Sequence, residues 1–148
     1  MMNEEVIVDF YLDENNVYNR LRHEFETYGR LIIAVDFDDT LYNYHKIEGR
    51  TYDMVIDLLR KWKDHAEIIV YSCIEPDGKD RMEFVKKYLK DNDIPYHKFN
   101  EQSCRSPTPN SRKVYYNILL DDRAGLKECF DVLKRLYLEL VRDKEGAK

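Results

Sequence analysis

Apolar residues in this chain follow two alternating patterns, one strand-like and one helical. Leu31-Ile-Ile-Ala-Val35 is a short, continuous, β-branched run that ends at Asp36, as a strand buried in a parallel sheet does. From Thr51 to Lys63 the residues Val55, Leu58, Leu59 and Trp62 recur at helical spacing, which predicts a helix with Thr51 as its N-cap. Glu67 to Ser72 repeats the strand pattern, and Met82, Val85, Tyr88 and Leu89 repeat the helical one before Asp91-Asn92 closes it. After Pro95, Tyr96 to Phe99 predicts a short third strand and Val114 to Asp121 a fourth. A last helix starts near Ala124, with Leu126, Phe130, Leu133, Tyr137 and Leu140 on one face.

Strands alternating with helices of this length predict an α/β fold: a three-layer open parallel sheet with helices on both faces. Ligands of such sheets bind beyond the carboxyl ends of the strands. The first 30 residues carry an apolar stretch, Val6 to Leu12, then a helical pattern through Val17, Leu21, Phe25 and Tyr28. They read as an edge extension (1–30) packed on a core domain (31–143), with a disordered tail at 144–148. Asn100 to Arg112 has two prolines and no periodicity, and is predicted to be a loop.

Composition narrows the class. With 148 residues and 43% hydrophobic content, one domain with a real core is expected. The net charge of −5 is spread over 24 basic and 29 acidic residues, which argues against a general nucleic-acid surface or an anionic-membrane surface. No apolar run reaches a bilayer-spanning length, and the start lacks the basic and apolar regions of a secretory signal. The expected location is therefore cytoplasmic. Cys73, Cys104 and Cys129 lie far apart without a CxxC pair, so plain thiols are expected. His23, His65 and His97 show no paired metal spacing either.

The chemistry concentrates at strand ends. Asp36, Asp38 and Asp39 crowd three carboxylates into four residues after the first strand. Like charges raise one another's pKa and repel, so such a cluster suits a cation among them. Asp121-Asp122 ends another apolar strand and Ser72 a third. In a parallel sheet these tips converge on one edge, and with Lys113 nearby they supply what a Mg²⁺-bound phosphoryl group needs.

This set resembles the four motifs of the haloacid dehalogenase-like (HAD) phosphatases: DxDx(T/V) after the first strand, Ser or Thr after the second, a Lys, and an acidic pair after the fourth. The resemblance spans residues 31 to 123 and implies a Rossmann-like core. It also implies that Asp36 is the nucleophile forming an aspartyl phosphate, and that Asp38 is the acid and then base. Mg²⁺ would be held by Asp36, by the Asp38 carbonyl and by Asp121, with Asp122 in support. Ser72 and Lys113 would bind phosphate, Lys113 also keeping Asp36 ionised; Lys79 is a rival for that lysine. Asp39 stands where many members have Gly, and Arg123 either reaches an anionic substrate or pairs with Asp122.

No full cap domain fits between these motifs, so the site is expected to be open. Tyr42, Tyr44 and His45 stand where the family's short flap would, either stacking on a sugar or base or forming a plain turn. The substrate is a phosphorylated compound of open class: sugar phosphate, nucleotide, polynucleotide end or phosphoprotein. A homo-oligomer could shield the site. Two other readings compete with the hydrolase: a receiver-like phosphoacceptor, and an inactive phosphate-binding homologue. In the receiver arrangement an isolated Asp stands on a middle strand, and none does so here.

Overall fold

A computed structural model describes residues 9–146. Four parallel strands, β1 (Leu31–Val35), β2 (Ala66–Val70), β3 (Lys98–Phe99) and β4 (Ile118–Leu120), lie in the order β3-β2-β1-β4. Helices flank them: α1 (Glu14–Tyr28), α2 (Asp53–Trp62), α3 (Lys79–Asp91) and α4 (Leu126–Leu136). This is an open, Rossmann-like α/β sheet. Among the described residues no helix is long and apolar enough to cross a membrane.

The pleat divides the core. Leu31, Ile33 and Val35 pair in register with Ala66, Ile68 and Val70, and one sheet face presents them to the large cluster that also takes residues from all four helices. Trp62 anchors that cluster, fully buried, edge-on to Phe25 with ring centroids 5.4 Å apart and donating its indole N–H to the Leu133 carbonyl at 3.3 Å. Ile32 and Ile69 belong to a smaller cluster with Val114, against which Tyr115 and Tyr116 pack. These come from the connection between β3 and β4, which carries no helix, so this layer is thinner.

Helix α1 starts at Asp13, whose carboxylate accepts the Asn15 N–H at 2.8 Å, and stops at Gly29 in the left-handed region (φ 71°). It buries Tyr18, Leu21 and Phe25 in the core. Arg20 reaches the Asn117 carbonyl beside the edge strand β4 at 3.1 Å. Of the apolar stretch from Val6 to Leu12, the first part lies outside the described residues; Phe10–Leu12 forms one 3₁₀ turn.

Several boundaries move for identifiable reasons. Thr51 does not cap α2: Tyr52 stands at the N-cap, makes no side-chain cap bond there, and points its hydroxyl at Asp39 instead. Strand β4 is shorter than the apolar run because the Asn117 side chain, not a backbone carbonyl, accepts the Ile32 N–H at 2.6 Å. Strand β3 is shortened likewise, since the His97 ring accepts the Ile68 N–H at 2.9 Å. At the other end the chain stays helical past 144. A wide π turn (Tyr137–Val141) leads into α5 (Arg142–Gly146), and Glu145 ties back to His65 and Tyr137.

Candidate functional site

The site begins where β1 runs out of partners. The Asp36 N–H donates to the Leu120 carbonyl at 2.9 Å and the Tyr71 N–H to the Val35 carbonyl at 2.8 Å. Asp36 therefore stands between the outgoing ends of β2 and β4. The chain then wraps around one oxygen: the Phe37 carbonyl accepts from Thr40, Leu41 and Tyr42 at 2.9 to 3.3 Å. Phe37 and Leu41 sink into the core and anchor the turn, while Asp38 and Asp39 between them and Asp36 just before them face a cleft.

That turn requires a left-handed residue, and Asp39 supplies it at φ 59°. Glycine adopts this conformation without cost and Asp is among the few others that tolerate it. The carboxylate is then engaged by His45 Nδ1 and by the Tyr52 hydroxyl at 3.3 Å. Desolvation works against the ionised form of Asp39, but the hydrogen bond and charge of His45 outweigh it and hold this carboxyl below its usual range.

The cleft, of about 330 Å³, is lined by Asp36, Asp38, Asp39, Tyr44, His45, Cys73, Asp121, Asp122 and Arg123. Carboxylate oxygens of Asp36, Asp121 and Asp122 lie within 4.8 Å of one another. Thr40, fully buried, ties the loops together: its hydroxyl lies 3.5 Å from Asp36 and 3.2 Å from Asp122 and accepts the Asp122 N–H at 3.1 Å. Burial, then repulsion from Asp121, then hydrogen bonding with Asp122 push the Asp36 carboxyl up to about 7.

Three hard oxygens this close suit one hard cation. An octahedral ion bound at about 2.1 Å separates its ligand atoms by roughly 3 to 4 Å, so a small inward movement completes the set. The Asp38 carboxylate is not one of the three. Arg81, from the first turn of α3, donates to it, and what remains for a metal is the Asp38 backbone carbonyl.

Not every expected residue reaches the cleft. Ser72 is buried beside it, its backbone clamped by the Asn100 side chain (N–H to Oδ1 2.7 Å, Nδ2–H to carbonyl 2.8 Å), but the wall residue is its neighbour Cys73. Lys113 is exposed on the β3 to β4 connection, its carbonyl accepting from Gln102 at 2.7 Å, and does not line the cleft. Lys79 opens α3 and does not line it either. Tyr42 packs among Phe37, Phe84 and Tyr88, whereas Tyr44 and His45 do face the cleft. All three cysteines are free thiols.

Two arginines bring positive charge to the site, Arg123 in the cleft wall and Arg81 behind Asp38. Arg123 lines the cleft, and among the described residues no carboxylate pairs with it. Arg81 lies 5.2 to 5.9 Å from the ring centres of Phe37, Tyr42, Tyr44 and Phe84. The sequence did hold a signal for it, since Arg81, Phe84 and Tyr88 share one helical face by their spacing.

No family model matches the chain, and no curated protein matches it. Among solved structures, a conserved protein from Bacteroides thetaiotaomicron superposes with a TM-score of 0.54 at 20% identity, over 72% of this chain and 91% of that one. A likeness at that identity establishes the fold and leaves the chemistry to the residues.

Proposed function

We propose that this chain is a Mg²⁺-dependent phosphohydrolase of the HAD-like type, cleaving a phosphate monoester through an aspartyl phosphate on Asp36. The observation that carries this reading is the meeting of Asp36, Asp121 and Asp122, from the ends of β1 and β4, with oxygens within 4.8 Å. Residues that only pack have no reason to concentrate like charge where burial already penalises it. Asp36, Asp121 and Asp122 would hold the ion, which when bound offsets their repulsion and draws charge from the phosphoryl oxygens.

An Asp36 oxygen attacks phosphorus while the bond to the leaving oxygen breaks, and Asp38 gives that oxygen a proton. Asp38 then takes a proton from water, whose oxygen bonds to phosphorus as the bond to Asp36 breaks and inorganic phosphate leaves. Arg81 orients Asp38 and, with Arg123, supplies the positive charge that the resemblance assigns to Lys113. Arginine suits the task because its planar fork binds phosphate in bidentate fashion. With free thiols at Cys73, Cys104 and Cys129, we place the protein in the reducing cytoplasm.

The test is turnover of p-nitrophenyl phosphate and a panel of phosphate esters with Mg²⁺, with and without chelator, alongside trapping of a hydroxylamine-sensitive phosphoprotein. Turnover that survives Asp36→Asn, or none on any ester in the panel, removes the proposal.

A further inference from the structure

A second, shallow and open cavity of about 510 Å³ adjoins the cleft, sharing Asp39, His45 and Asp122 with it and adding Ile47, Arg50 and Tyr52. Its wall is the segment from 43 to 52, which is ordered by its own bonds. Asn43 clasps Ile47 in both directions: its Nδ2 donates to the Ile47 carbonyl at 2.8 Å and its Oδ1 accepts the Ile47 N–H at 3.1 Å. A turn follows, closed by the Arg50 N–H on the Ile47 carbonyl at 3.4 Å, with Gly49 at φ 82° as a type II turn demands at its third position. His45 and Tyr52 then both bond Asp39, which fixes the segment to the floor of the site.

This segment presents Arg50 in a cavity that shares Asp39, His45 and Asp122 with the cleft in which Asp36 and Asp38 lie. Among the described residues no carboxylate forms an ion pair with Arg50. Asp39 and Asp122, the acids on the shared wall, are engaged by His45 and Tyr52 and by Thr40 respectively. We infer that this cavity is the leaving-group subsite, and that Arg50 selects phosphate monoesters whose leaving group bears a second anionic group, a carboxylate or another phosphate. The inference rests on the hydrolase reading above. The Tyr52 hydroxyl lies beside the Arg50 side chain; an apolar or neutral leaving group gives the guanidinium no anionic partner, whereas an anionic one adds a charge-assisted hydrogen bond.

Matched substrate pairs test it: 3-phosphoglycerate against glycerol 3-phosphate, which differ by a carboxylate, and fructose 1,6-bisphosphate against fructose 6-phosphate, which differ by a phosphate. With p-nitrophenyl phosphate as the control for the basic reaction, kcat/KM is expected to favour the doubly anionic member of at least one pair by about tenfold or more. Arg50→Gln should erase that preference, mainly through KM, while leaving the control and the singly anionic substrates within about twofold. Arg50→Lys should keep part of it. Equal rates within both pairs, or equal losses on all substrates in Arg50→Gln, overturn the inference while the hydrolase reading stands. Absence of any turnover, the control included, removes both.

Discussion

The two ends of the parallel sheet treat buried polar groups in opposite ways. At the amino end each has a partner. Asn117, 7% exposed, accepts from Ile32 N–H at 2.6 Å and donates to Glu24 at 2.7 Å, and Glu67 accepts from the Ser103 hydroxyl at 2.7 Å with Arg105 3.8 Å away. At the carboxyl end the carboxylate oxygens of Asp36, Asp121 and Asp122 gather within 4.8 Å of one another, with the Thr40 hydroxyl beside Asp36 and Asp122. Polar groups that serve the fold complete one another, and groups left in mutual repulsion are placed for something else.

The largest expected effect breaks the carboxyl end. Asp36→Asn should lower kcat on p-nitrophenyl phosphate by at least about a thousandfold, and without metal it should raise the melting temperature, because one of three repelling carboxylates is gone. A loss of activity accompanied by unfolding would instead make Asp36 a structural residue. Arg81→Met should follow at about ten- to a hundredfold in kcat/KM, with weaker inhibition by inorganic phosphate, and Arg81→Lys should recover part of that. Steady-state kinetics at fixed Mg²⁺ separate the two.

The amino end predicts the reverse pattern. Asn117→Ala leaves the Ile32 N–H without its acceptor and should cost about 1 to 3 kcal/mol in denaturant unfolding, with kcat within about twofold. The two ends should also differ in their response to pH. An Asp36 carboxyl pushed up to about 7 binds more protons in the folded than in the unfolded state. Its contribution to metal-free stability is therefore present below the ordinary carboxylate range and is lost as pH rises through about 7. Mg²⁺ opposes that loss, adding about 2.7 kcal/mol at a hundred times its Kd, so melting temperatures with and without Mg²⁺ should diverge from pH 6 to 8. In Asp36→Asn that divergence should shrink; an unchanged curve would exclude Asp36 from the metal site.

What could be read from the sequence depended on how local the determinant was. The run Leu31–Val35 with Asp36, and the pair Asp121-Asp122 after β4, were legible because strand periodicity and a carboxylate at the tip are local features. Their meeting required parallel order and also that β1 and β4 be neighbours, which the sheet order shows. The length of β1 was legible, but those of β3 and β4 were not, since His97 and Asn117 substitute side-chain atoms for backbone partners and apolar periodicity does not register this. The basic partner was misread for a related reason. Lys113 precedes an apolar run in sequence, but the chain there is an exposed connection, and the cation that reaches Asp38 comes from α3; helical spacing groups Arg81 with Phe84 and Tyr88, but that this face meets Phe37 and Tyr42 is set only in three dimensions.

The smallest expected effect concerns the turn that holds the acidic cluster together. Asp39 has φ 59°, a conformation that costs an ordinary L-residue about 1 to 2 kcal/mol and glycine almost nothing. Asp39→Gly relieves that strain but loosens the unfolded chain and removes the bonds to His45 and Tyr52, so its stability should stay within about 1 kcal/mol of the parent. Asp39→Ala removes the same bonds and keeps the strain, and should be less stable than Asp39→Gly by about 1 kcal/mol. That difference isolates the backbone requirement from the side chain's own contacts. If the alanine variant proves as stable as the glycine one, the left-handed turn is not what sets the residue at this position, and the His45 and Tyr52 bonds must be.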